Sequence, residues 1–96
     1  MAARFRPKTY TFTSSPVSVY SALGSPVNDK WGQSITLRAE YTNVGTAYWQ
    51  DSTGEKGGYL RAGEAASIDI GGMWLSTSDI YISGTENDKV YITVLG

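Results

Sequence analysis

The chain of 96 residues has no cysteine and no histidine. The first absence excludes disulfides and thiolate metal sites; the second removes the commonest metal ligand and the commonest general base. Charge is also short, with eight basic and nine acidic residues leaving a net −1. That offers no field able to gather phosphate backbones or an anionic membrane, so neither nucleic acid nor membrane is expected as a partner. No apolar run approaches the roughly 20 residues of a membrane helix. The start, MAARFRPKTY, is basic but leads into no apolar stretch, so it does not read as a secretory signal and the chain is expected to be made in the cytoplasm.

What is present is glycine, hydroxyl side chains and tyrosine. Eleven glycines and seven tyrosines, with Val and Ile in short runs between turn residues, favour strands over helices. In SITLRAEY, Ile35, Leu37, Ala39 and Tyr41 alternate with Thr36, Arg38 and Glu40, the pattern of a strand with one buried face. AASIDI repeats it with Ala66, Ile68 and Ile70, and KVYITV with Val90, Ile92 and Val94; TYTFT alternates Tyr10 and Phe12. The expectation is an all-β chain, a small antiparallel β-sandwich or barrel of about six to seven short strands in a single domain over residues 9–96.

Turn residues suggest the connections. Asn43-Val44-Gly45-Thr46 reads as a hairpin with Gly45 at positive φ, bringing Tyr41 near Tyr48. Leu60-Arg61-Ala62-Gly63-Glu64 reads as a tight connection with Gly63 at positive φ, and DSTGEKGG before it as a polar loop. Gly84 opens a five-residue loop to Asp88, read as a hairpin with Ser83 facing Lys89. In that register Tyr81 and Tyr91 form an outward cross-strand pair. SSPVSVYSALG fits either a strand through Val17 and Val19 or a helical turn capped by Ser15 with Pro16 behind it. Met73-Trp74-Leu75 reads as an apolar cap over the core. Residues 1–8 read as an extended arm outside the sandwich, since Pro7 resists a central strand and Arg4, Arg6 and Lys8 resist burial around the lone apolar Phe5.

Catalysis finds little support. Asp51, Glu55, Asp69, Asp79, Glu86 and Asp88 fall in turns or on outward strand positions, where side-chain bonding to the backbone is their ordinary use. GEKGG and GSPVNDK lack the ending and setting of a phosphate loop, and no calcium-loop spacing appears. No enzyme activity, metal or cofactor is expected. A carbohydrate-binding module is the rival of another class, with Trp31, Trp49 and Trp74 as a stacking platform, although one tryptophan is expected in so small a core.

Three stretches, NVGTAYW, YLRAGEAASIDI and SDIYISGTENDKVYITV, resemble small β-rich virion structural proteins of tailed bacteriophages. The matching residues are Asn43, Gly45, Thr46 and Tyr48; Leu60, Gly63 and Glu64; and Asp79, Ile80, Tyr81, Asp88, Lys89 and Val90, within residues 39–94. Ala62 stands where that family's turn often has proline, and 71–74 does not align. The resemblance implies a non-enzymatic capsid decoration or cement protein on the virion surface, bound to the major capsid protein or another virion protein, a homo-oligomer with a trimer favoured. A tail or head-fibre part is the near alternative. The contact residues expected on this reading are Arg4, Phe5, Arg6, Trp49, Trp74, Tyr81 and Tyr91.

Overall fold

The computed structural model describes residues 5–24, 30–69, 71 and 73–96. Its strands are β1 (Phe5–Thr11), β2 (Val17–Ser18), β3 (Trp31–Gly32), β4 (Ser34–Ala39), β5 (Ala47–Gln50), β6 (Lys56–Leu60), β7 (Ala65–Asp69), β8 (Leu75–Ser76), β9 (Tyr81–Ser83) and β10 (Lys89–Leu95), with one helical turn, α1 (Val19–Leu23). Two four-stranded antiparallel sheets, β1-β10-β4-β7 and β2-β9-β5-β6, and a small ribbon of β3 and β8 make an all-β sandwich. The strands of three or more residues match the expected number; of the two-residue strands, β2 falls on the expected strand through Val17, and β3 and β8 are additional.

The core follows from alternation. Ile35, Leu37 and Ala39 on β4 and Val90, Ile92 and Val94 on β10 are buried, and meet Ala47, Leu60 and Ile82 of the second sheet. Phe12 joins them, its ring edge-on to Tyr10 at 5.8 Å. Val19, Ala22 and Leu23 of α1 close one side. Both readings of 15–25 hold in part: Val17 and Ser18 are strand, and the helical turn is capped by Ser18, whose Oγ accepts from the Ser21 N–H at 3.1 Å. The cap is Ser18, not Ser15, because the Val19 N–H is held by the Ile80 carbonyl at 2.8 Å and the helix cannot begin earlier.

The expected hairpins at 43–46 and 84–88 are corrected. Each connects a strand of one sheet to a strand of the other, so Tyr81 lies in β9 opposite Ser18 and Gln50, while Tyr91 lies in β10 opposite Thr9 and Arg38. Tyr81 and Tyr91 are not a pair; the cross-strand tyrosines are Tyr48 and Tyr59. Residues 5–8 are corrected too, because they form the first half of β1, paired from Phe5 opposite Leu95 to Lys8 opposite Ile92. Arg6 is buried at 3% exposure, and its Nη2 donates to the Trp31 carbonyl at 3.1 Å. Arg4, and with it the rest of the expected arm, lies outside the described residues, as does Ile70.

The glycines separate by mechanism. Gly63 has φ +82° as expected, in a turn where the Glu64 carboxylate accepts from the Arg61 N–H at 2.7 Å. Gly45 is not at positive φ; a Cβ there would lie 1.9 Å from Thr85 Oγ1, so what the site requires is close approach of two loops. Gly84 likewise has ordinary φ and sits under the Phe12 ring, 2.6 Å from where its Cβ would be. Gly45→Ala should therefore cost about 1–3 kcal/mol by overpacking, and Thr85→Gly should restore part of that loss in a double-mutant cycle. Gly63→Ala should cost about 1–2 kcal/mol through φ alone and show no coupling to Thr85. Urea unfolding checks both, and an uncoupled Gly45/Thr85 pair would remove the steric account.

Candidate functional site

An exposed pair of tryptophans lies at the small ribbon. Gly32 points inward, with no room for a side chain because its Cβ would come 2.5 Å from Val94 Cγ1, so Trp31 beside it must point outward. The ribbon is fixed from below by Thr77, which is fully buried and gives both its N–H (2.7 Å) and its hydroxyl (2.9 Å) to the Lys30 carbonyl. Thr77 also accepts the Tyr20 N–H at 3.0 Å through its own carbonyl, tying the ribbon to α1. Trp31 and Trp74, each more than half exposed, line one shallow apolar groove, with the Lys30 ammonium 5.9 Å from the Trp31 ring centre. The expectation that Met73 and Trp74 cap the core is overturned: both are exposed, and only Leu75 of the three packs against the core. They precede a ribbon that lies outside both main sheets and so have no core beneath them.

Trp49 is the tryptophan taken up by packing. It is half-buried against the core, and its ring fills the space over Gly57 and Gly58 of β6, where added Cβ atoms would lie 2.7 and 2.2 Å from it. DSTGEKGG is thus only partly a loop: 51–55 turns, and the two glycines are strand because a tryptophan covers them. On the other face of the same strands, Tyr48 and Tyr59 stand opposite each other. The Lys56 ammonium lies 5.3 Å from the Tyr48 ring and the Arg61 guanidinium 5.7 Å from that of Tyr59. Sequence reasoning missed this aromatic and cationic patch because it assigned the outward pair to Tyr81 and Tyr91.

Of the expected contact residues, Phe5, Trp74 and Tyr91 are exposed, Tyr81 and Trp49 are half-buried, and Arg6 is buried. They do not gather into one surface: Phe5 and Tyr91 lie on the β1-β10 sheet, Tyr81 and Trp49 on the other, and Trp74 beside the ribbon. Asn43, Gly45, Gly63 and Gly84 occupy connections between the sheets.

Several carboxylates bond to backbone N–H groups of turns and loops. Asp88 accepts the Val44 and Gly45 N–H groups at 3.1 and 2.8 Å, and Asp69 accepts from Gly71. Among the described residues no group of three or more acidic side chains could hold a metal ion. No described helix is long and apolar enough to cross a membrane. No family model, curated protein or solved structure matches the chain.

Asp51 shows the pattern most clearly. The Thr53 hydroxyl at 2.6 Å, with the Glu55 and Thr53 N–H groups at 3.0 and 2.8 Å, holds its carboxyl below the ordinary value of 3.8. A lowered folded-state value means the carboxylate's contribution to stability is present above the ordinary value and lost as pH falls through the lowered one. Carbon-detected NMR titration should place the Asp51 midpoint below 3.8, and Thr53→Val, which removes the leading cause, should move it upward.

Proposed function

We propose that the chain is a non-enzymatic virion structural protein that binds the surface of a tailed-phage capsid and stabilises it through protein–protein contacts. The observation that carries this reading is the groove of Trp31 and Trp74, two large exposed aromatics, the first turned outward beside the space-limited Gly32 and following Lys30, whose carbonyl the buried Thr77 holds. Desolvated Trp and Tyr dominate the energetics of protein interfaces, and a domain this small has few to spare from its core. Turn-bonded carboxylates and the absence of histidine and cysteine fit a part that works by adhesion, and the phage-protein resemblance supplies the class of partner. A tail or head-fibre position uses the same surface.

One observation favours a second reading. Paired exposed tryptophans in a shallow groove also suit stacking on a sugar ring, which is the carbohydrate-binding alternative. Cosedimentation with purified tailed-phage capsids, alongside soluble-sugar titration of tryptophan emission, separates them. The capsid reading expects Trp31→Ala/Trp74→Ala to weaken shell binding by about tenfold or more, the loss of two anchor side chains. Both residues are exposed, so unfolding stability should stay within about 0.5 kcal/mol. Undiminished shell binding by the double variant would overturn the assignment, and saturable sugar binding by the free chain would replace it with the second reading.

A further inference from the structure

The sheet β1-β10-β4-β7 has two outer strands, and they differ in what they offer another chain. On β1 the Phe12 N–H bonds the Asp88 carbonyl at 2.8 Å, which sets the parity. Even-numbered residues turn their backbone groups toward β10, and Phe5, Pro7, Thr9 and Thr11 turn theirs outward. Pro7 has no N–H, so the free edge of β1 lacks a donor near its middle, a standard protection against strand addition. On β7 the Ala39 N–H bonds the Glu64 carbonyl at 2.9 Å, so Ala66 and Ile68 face β4 and the backbone groups of Ala65, Ser67 and Asp69 face outward. That edge has neither proline nor lysine.

We infer that β7 is the contact by which two copies of this chain pair, antiparallel about a two-fold axis at Ser67, joining two sheets of four strands into one of eight. The sequence of β7 is self-complementary in that register. Ser67 opposes Ser67 of the second copy, extending the hydroxyl row already formed by Thr36 and Ser67, whose oxygens are 3.0 Å apart. Ala65 opposes the second copy's Asp69, and because Arg38 stands on the other side of Ala65, a guanidinium and a carboxylate flank one small side chain from strands about 10 Å apart. A long arginine can close that gap over alanine, and the two-fold axis makes the pair twice. On the inner face Ala66 opposes the second copy's Ile68. Both are only half-buried in the single chain although they face the core, and pairing would cover them. Every outward N–H and carbonyl of 65, 67 and 69 finds a partner in this register, since all three are hydrogen-bonding positions.

The contact makes a dimer, in place of the trimer that the resemblance implies, and does not depend on the capsid reading. Sedimentation at micromolar concentration reads the mass. Ser67→Cys reads the register, because a hydrogen-bonded pair sets Cα atoms about 5.5 Å apart, within disulfide reach, and the chain has no other cysteine. The expected result is a two-chain species, near-complete cross-linking of Ser67→Cys under mild oxidation, and none of Thr9→Cys on the protected edge. Asp69→Arg should weaken pairing by about tenfold, and Arg38→Asp in the same chain should recover it. A monomer, a trimer, or a dimer whose Ser67→Cys variant stays uncross-linked would overturn the proposal. Loss of capsid binding with the dimer intact would instead count only against the capsid reading.

Discussion

Two loops that change sheets, 40–46 and 84–88, are fastened to each other by two side chains, and the fold depends on that fastening. Asn43 acts as a strand partner for Lys89, donating to its carbonyl at 2.7 Å and accepting its N–H at 2.8 Å. The Asp88 carboxylate, nearly buried, takes the N–H groups of Val44 and Gly45. Each interaction satisfies backbone groups that a chain leaving one sheet for another would otherwise strand. Gly45 lets the loops approach until no Cβ fits between them. Since β4 and β10 are the central strands of one sheet and β5 and β9 those of the other, this knot sets the end from which both sheets are aligned.

How much of this is legible in the sequence follows from what alternation encodes. A period of two says which side chains face the core, and it did so correctly for Ile35, Leu37, Ala39, Val90, Ile92 and Val94. It does not say which sheet a strand joins, because a strand in either layer points its apolar set at the same core. β9 and β10 alternate just as a hairpin would, and the five residues between them suit a hairpin loop equally well. Among the described residues, only β5 and β6 are both consecutive in the chain and paired in a sheet. The sequence residues that decide the matter, Asn43 and Asp88, act across 46 and 43–44 positions, a range that local pattern does not reach.

Two further misreadings share a physical origin, in that composition was taken as a sign of exposure. Arg6 and Lys8 fall at inward positions of β1, which disguised a strand as a charged arm; the first is buried beside the Trp31 carbonyl, while the second escapes at the sheet edge. Gly57-Gly58 looked like loop because two glycines weaken a strand, yet the indole of Trp49 supplies the packing that their missing side chains do not. A tryptophan eight residues before a glycine pair, across a turn, is a signal that could have found this.

The same distinction between facing and pairing bears on function. What a strand turns outward was partly legible, since Phe5 and Tyr91 are exposed, whereas Trp74, read both as a core cap and as a contact residue, is exposed and forms with Trp31 the groove on which the capsid reading rests. Which edges stay open depends on sheet order and so could not be read before the order was known. Once β1 and β7 are seen as the borders of one sheet, Pro7 changes meaning, from a residue that resists a strand to one that guards its outer side. The protection is one-sided. Selection against uncontrolled strand addition places such residues where an edge must not pair, and the edge left without one, with alanine, serine and aspartate outward in a self-complementary order, is the edge to which the proposed pairing of two copies is assigned.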